Sequence, residues 1–130
     1  MSDDFNLEII APDKKIFSSN VGEVVIPSFE GQMTILKDHI PIITFLRPGF
    51  VEIKNHNESL KFFIEEGTVE FLNNKMLILT TSAKNLKDFD NTKVSEMIKI
   101  VEKAIEAKNL SDKQKYILSY KLSSLKEISQ

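Results

Sequence analysis

The sequence predicts a mixed, β-then-α chain: an N-terminal antiparallel β-sandwich over residues 1–86, followed by an antiparallel two-helix hairpin over residues 87–130. Three observations carry that prediction. Short runs of alternating apolar and polar residues recur from Phe5 to Thr80, punctuated by turn residues at the spacing of about 8–12 positions that marks sandwiches and barrels. Beyond Leu86 the apolar period changes from two to three-four. The link between the two helical stretches is too short for anything but an antiparallel hairpin.

Phe5, Leu7 and Ile9 alternate with Asn6 and Glu8, a half-buried first strand. Ala11-Pro12-Asp13-Lys14 turns the chain into a second strand, Lys15 to Val21. Glu23 to Ile26 is extended, and Pro27, which cannot donate to a ladder, belongs at an edge, bulge or strand end. The central stretch, Phe29 to Ile53, reads as strand, polar turn, apolar strand, Pro48-Gly49 turn, strand. Ile40 to Leu46 is almost wholly apolar, so it is expected to be buried on both faces. Strands at Leu60 to Glu65, Thr68 to Leu72 and Met76 to Thr80 follow, with Asn73-Asn74 suited to a tight turn. Val94, Met97, Ile98, Val101, Ala104 and Ile105 then form one helical stripe. Asp90 or Asn91 is expected to cap its start and Asn109 to take a left-handed position near its end. Ser111-Asp112-Lys113-Gln114 is a capping-box sequence. Leu118, Leu122 and Leu125 form the seam of the helix it opens.

Composition narrows the function classes. With a net charge of −2, no sequence-wide attraction to nucleic acid or anionic lipid is implied. The chain has no cysteine, which excludes disulfides and thiolate metal sites and fits a reducing compartment. No apolar run approaches the roughly 20 residues that span a bilayer. Met1-Ser2-Asp3-Asp4 is neither a signal nor a transit sequence, so any membrane association is expected to come through a partner. His39 and His56 lack metal-ligand spacing. Glu52, Glu65, Glu66 and Glu70 read as solvated faces, with alternation setting Glu52 and Glu70 opposite Val51 and Val69, and not as a paired catalytic set. No Gly-x-Ser-x-Gly elbow or Gly-rich phosphate loop occurs. Arg47 is the only arginine, poor equipment for phosphoryl transfer.

The central stretch resembles a known family. Glu30, Gly31, Ile35, His39, Pro41, Thr44, Leu46, Pro48 and Gly49 follow the pattern of the epsilon subunit of bacterial and plastid F-type ATP synthases, called delta in mitochondria. Ile42 and Ile43 stand for two leucines, and Thr34 replaces a glycine, which suggests ordinary β backbone there. Glu66-Gly67 with Val69-Glu70-Phe71, and Leu79 to Lys84, look like later segments of the same pattern.

The resemblance implies a non-catalytic rotor part of the central stalk with no cofactor, its sandwich clamping the γ subunit and resting on the c-ring. It implies coupling of c-ring rotation to ATP synthesis, and a brake on ATP hydrolysis as a further role of the hairpin. Glu30, Gly31 and Gln32, with Lys37, Asp38 and His39, would belong to one end of the sandwich, facing the ring. Lys113, Lys115 and Lys121 would meet an acidic segment of the catalytic β subunits; their plain alternative is a solvated face with local ion pairs such as Lys99 with Glu102 and Lys103 with Glu106. A nucleotide signature of some bacterial members falls on Asp90 and Lys93, but lysine replaces the family's arginine and lacks its fork, which argues against tight ATP binding. The location implied is the cytoplasmic face of a bacterial plasma membrane or the stromal side of a thylakoid. A free-standing β-sandwich that binds a ligand is the alternative of a different class, and it predicts an exposed aromatic platform.

Overall fold

The computed structural model describes residues 3–129; Met1 and Ser2 of the polar N-terminus, and Gln130, lie outside the described residues. Ten strands come first: β1 (Phe5–Ala11), β2 (Lys14–Val21), β3 (Glu23–Ser28), β4 (Gly31–Leu36), β5 (Ile42–Leu46), β6 (Gly49–Asn55), β7 (Glu58–Ile64), β8 (Gly67–Leu72), β9 (Lys75–Leu79) and β10 (Ala83–Asn85). A 3-10 turn at Leu86–Asp88 leads to α1 (Asn91–Ile105) and α2 (Asp112–Ile128).

The strands form two layers. One is β4-β3-β6-β7-β10 and the other β5-β8-β9-β1-β2. They join at β3, which pairs with β6 along Glu23 to Val25 and with β5 at Ser28. Pro27 sits where that edge passes from β6 to β5. Its carbonyl accepts from the Arg47 amide at 3.0 Å, and on this edge no donor is missed. Gly49 lies against the same proline: a Cβ there would stand 2.8 Å from Pro27 Cβ. One pairing departs from the antiparallel expectation. β1 runs parallel to β9, with Asn6 opposite Lys75 and Ile10 opposite Leu79.

Alternation places Leu7 and Ile9, Val24 and Ile26, Val51 and Ile53, Val69 and Phe71, and Met76 and Ile78 between the layers, all buried. A second, smaller core lies outside the sandwich. Phe50 and Phe63 point outward from β6 and β7 and are covered by Phe89, by Val94, Met97, Ile98 and Val101 of α1, and by Leu118, Leu122 and Leu125 of α2. Burial of those stripes holds the hairpin down, since isolated helices of this length are marginal in water.

The helix starts follow their sequence signals. Asp90, not Asn91, caps α1 by accepting from the Thr92 amide at 2.9 Å. At α2 the Ser111 hydroxyl accepts from the Gln114 amide at 3.1 Å while Gln114 Oε1 accepts from the Ser111 amide at 2.8 Å. The helix end differs: α1 is capped by Glu106 in right-handed conformation, and Asn109 is not among the residues with positive φ. Nor do Lys99 and Lys103 pair along α1; Glu102 meets Lys126 of α2 at 3.8 Å. The antiparallel partner offers a nearer cation than the same helix does.

Candidate functional site

The outer face of β5-β8-β9 is the feature that sequence periodicity misjudged. The apolar run from Ile40 to Leu46 predicts that β5 is covered on both sides. Instead it alternates, with Leu46 buried and Ile43 and Phe45 exposed by 76% and 62%. Its register places Ile43 beside Glu70 and then Leu77, and Phe45 beside Thr68 and then Leu79. Leu72 and Leu79 are also exposed. The result is an apolar strip interrupted by one carboxylate. Contiguous exposed apolar surface of this kind marks an interaction face, because covering it gains about 25 cal/mol per Å². Two open hollows notch the strip. One, of about 510 Å³, is lined by Pro41, Ile43, Glu70 and Leu72. The other, of about 630 Å³, lies between Phe29, Phe45 and Pro48 and the start of α2 at Lys113 and Ile117.

The six residues expected at one end of the sandwich do not share an end. Glu30 lies in the β3–β4 turn, and Gly31 and Gln32 open β4. Lys37, Asp38 and His39 follow the other end of β4, roughly 17 Å away at the rise of a strand. The second trio is firmly built. The His39 amide donates to the Leu36 carbonyl at 3.1 Å, with Asp38 at φ 66°. The Asp38 amide donates to Asn74 Oδ1 at 2.7 Å, and Asn74 Nδ2 donates back to Asp38 Oδ1 at 2.9 Å. His39 Nδ1 lies 2.7 Å from the Ile40 carbonyl, and its ring meets Phe71 edge-on. Lys37 to His39 therefore run straight into the apolar strip, alongside Leu72, whereas Glu30 and Gln32 are exposed at the opposite end of β4, where Gln32 borders a hollow beside α2.

On the hairpin, Lys121 is paired with Glu65, Lys113 borders the hollow beside Phe45, and Lys115 is exposed. The Asp90 carboxylate is engaged in capping α1, and Lys93 one turn on is exposed. Glu70 faces out within the strip. Glu52 is half-buried, and lines a hollow of about 320 Å³ under α2 with Arg47, Lys61 and Glu127. Two cations and two carboxylates line it, so these side chains sum to no net charge. His56 sits on an exposed turn, 3.9 Å from the Asp4 carboxylate. Among the described residues no group of three or more His, Cys, Asp or Glu is placed to hold a metal.

Sequence reasoning missed Arg47, Tyr116 and Tyr120. The Arg47 guanidinium lies 3.9 Å above the Tyr120 ring. Tyr120 contacts Tyr116 at 4.8 Å, and Tyr116 stacks on Phe29 at 5.6 Å. The signal available was the four-residue spacing of the two tyrosines, which puts both on one helical face.

Comparison with known proteins agrees with this architecture. A family model of the ATP synthase delta/epsilon chain β-sandwich domain matches residues 4–86. The ATP synthase epsilon chain of Pelagibacter ubique is 42% identical over 130 residues, spanning 99% of this chain and all of the relative. That of Parvibaculum lavamentivorans is 33% identical, spanning 98% and 97%. In fold, the chain is similar to one in the Euglena gracilis mitochondrial ATP synthase, with TM-score 0.82 and 18% identity, covering all of this chain and 84% of that one. A second likeness is to a chain of the Tetrahymena thermophila mitochondrial ATP synthase central stalk and c-ring, with TM-score 0.62 and 16% identity over 96% of each. None of these favours a free-standing ligand-binding module. The family motif, the sandwich and hairpin that carry it, and relatives matched from end to end together establish that the chain belongs to the epsilon-chain family of F-type ATP synthases, whose members are non-catalytic subunits of the complex.

Proposed function

We propose that the chain works as a rotor element of the central stalk, passing rotation from the c-ring to the γ subunit while making and breaking no bonds itself. The observation that carries this reading is the exposed apolar strip of Ile43, Phe45, Leu72 and Leu79, with Leu36 and Ile40 exposed as well. Such a strip costs solubility unless a partner covers it, and γ is the partner the family supplies. Lys37, Asp38 and His39 adjoin the strip, so they are assigned to the γ contact. Glu30, Gly31 and Gln32, at the far end of β4, are assigned to the ring.

A torque-bearing part must resist deformation. Two layers joined through β3, with a turn locked by reciprocal Asp38–Asn74 hydrogen bonds, suit that task. The sandwich (residues 1–86) would be the stiff part and the hairpin (87–130) the regulatory one, slowing ATP hydrolysis when it leaves the sandwich and reaches the catalytic β subunits with Lys113, Lys115 and Lys121. The bacterial relatives favour a bacterial plasma membrane, cytoplasmic side, with attachment through the complex alone. No helix among the described residues is long and apolar enough to cross a membrane.

The test is reconstitution with an αβγ complex depleted of its epsilon subunit, measuring association and ATP hydrolysis. Wild-type chain and a form ending at Leu86 are expected to bind. Ile43→Asp with Phe45→Asp, which place charge on an already exposed face, are expected to weaken binding by at least about a hundredfold, since two buried apolar anchors are each worth about 1.5–3 kcal/mol. Unaltered binding by the double variant would overturn the assignment of this face. Slower hydrolysis with the full chain than with the shortened one is the result expected of a brake.

A further inference from the structure

We propose that Phe29, Tyr116, Tyr120 and Arg47 form a ladder that couples the β3–β4 turn to the docking of α2, so that a protein pressing on residues 29–31 changes how firmly α2 is held. The identity of what presses rests on the function proposed above; the coupling itself does not.

The two helices are held differently. α1 is held through its apolar stripe, against Phe63, Phe50 and Phe89. Such contact is non-directional and tolerates sliding. α2 adds directional contacts to two separate turns of the sandwich. The Tyr116 hydroxyl donates to the Phe29 carbonyl at 3.3 Å, while the two rings stack with an interplanar angle of 18°. One helical turn on, Tyr120 receives the Arg47 guanidinium on its face. Arg47 belongs to the link between β5 and β6. Its Nη1 donates weakly to the Pro48 carbonyl at 3.4 Å, and its buried Nε has no hydrogen-bond partner. Among the described residues no carboxylate pairs with the guanidinium, so the Tyr120 ring is its main anchor. The chain spends its one arginine and both its tyrosines on this ladder.

At its other end the ladder stands on a turn that depends on glycine. Phe29 and Glu30 are the two residues between Ser28 and Gly31, which are paired across the hairpin. Gly31 has φ +123°, a conformation that side-chain-bearing residues rarely adopt. Phe29 thus presents both the carbonyl and the ring that Tyr116 grips, and any rotation of this turn moves both together.

Native-state hydrogen exchange on the full-length chain tests the coupling. Gly31→Ala is the decisive variant. A Cβ there meets nothing within 4 Å, so the substitution acts through backbone strain alone and touches no atom of α2. Exchange of α2 amides from Tyr116 to Leu125 is expected to speed up about five- to tenfold, within the range one cation–π contact commands, while β1 and β9 amides keep their rates. Arg47→Lys, which keeps charge but loses the planar stacking surface, should give the same pattern, and the double variant less than the product of the two effects. Acceleration confined to residues 28–34, or effects that simply multiply, would overturn the proposal. Should β1 and β9 also speed up in Gly31→Ala, Phe29→Leu keeps the turn and removes the stacked ring. It must then show the α2-selective response. Because the assay uses the chain by itself, its failure leaves the rotor reading standing, and failure to bind γ leaves the ladder standing.

Discussion

Asn74 shows how much one side chain settles at an end of the sandwich. It occupies φ 61° in the β8–β9 turn, and its amide group exchanges two hydrogen bonds with Asp38. Asn74→Ala loses both bonds and pays a left-handed penalty, so a loss of about 2–3 kcal/mol is expected in urea unfolding. Asn74→Gly keeps the backbone and should lose only about half as much. Glu8 offers a pH-dependent counterpart. The Lys15 ammonium, first through its hydrogen bond and then through its charge, with help from Ser18, holds the Glu8 carboxyl below its ordinary value. Its contribution is therefore present above that ordinary value and fades as pH falls through the lowered one. Unfolding curves of wild type and Glu8→Gln should converge at acid pH and differ slightly at neutral pH, as befits an exposed pair. Single residues were legible in the sequence where backbone chemistry dictated them. Thr34 does sit in ordinary β structure, paired with Val25, and Ser111 and Asp90 do cap. Arg47 was not legible, because its partner Tyr120 lies far along the chain and no local rule connects them.

At the scale of elements, α2 depends on its start. Ser111→Ala removes half of a reciprocal cap and is expected to cost about 1 kcal/mol, read as faster exchange in the first turn of α2 ahead of any change in the sandwich. β5 teaches the opposite lesson about prediction. Its run from Ile40 to Leu46 has the composition of a strand covered on both faces, and the structure covers one. Sequence periodicity reports that a face avoids water; it does not say whether this chain or another supplies the cover. Likewise, the parallel placement of β1 beside β9 leaves no local trace, because strand order is decided by which edges remain open once hairpins have formed.

For the whole molecule, the consequence is two cores of unequal standing. Phe71 lies at the centre of the sandwich, whereas Phe63 serves only the layer beneath the hairpin. Phe71→Ala should lower global stability by about 3–5 kcal/mol. Phe63→Ala should release the hairpin first and leave the sandwich's own unfolding midpoint nearly in place. Thermal unfolding followed by near-ultraviolet dichroism of the two helical tyrosines, beside exchange in β1, separates the two outcomes.

The neighbouring of β1 and β9 also bears on how the chain is made. The opening strand emerges from the ribosome about 70 residues before the strand it must lie against, Asn6 waiting for Lys75. Until then it has only the β2 hairpin for company, with one edge bare and Leu7 and Ile9 uncovered. Hairpins can close as they appear, but the sandwich can be sealed only after its ninth strand is synthesised, so completion is late and all at once. Nascent chains halted before Lys75 should accordingly be cut readily by protease, and those carried past the helical segment should resist it.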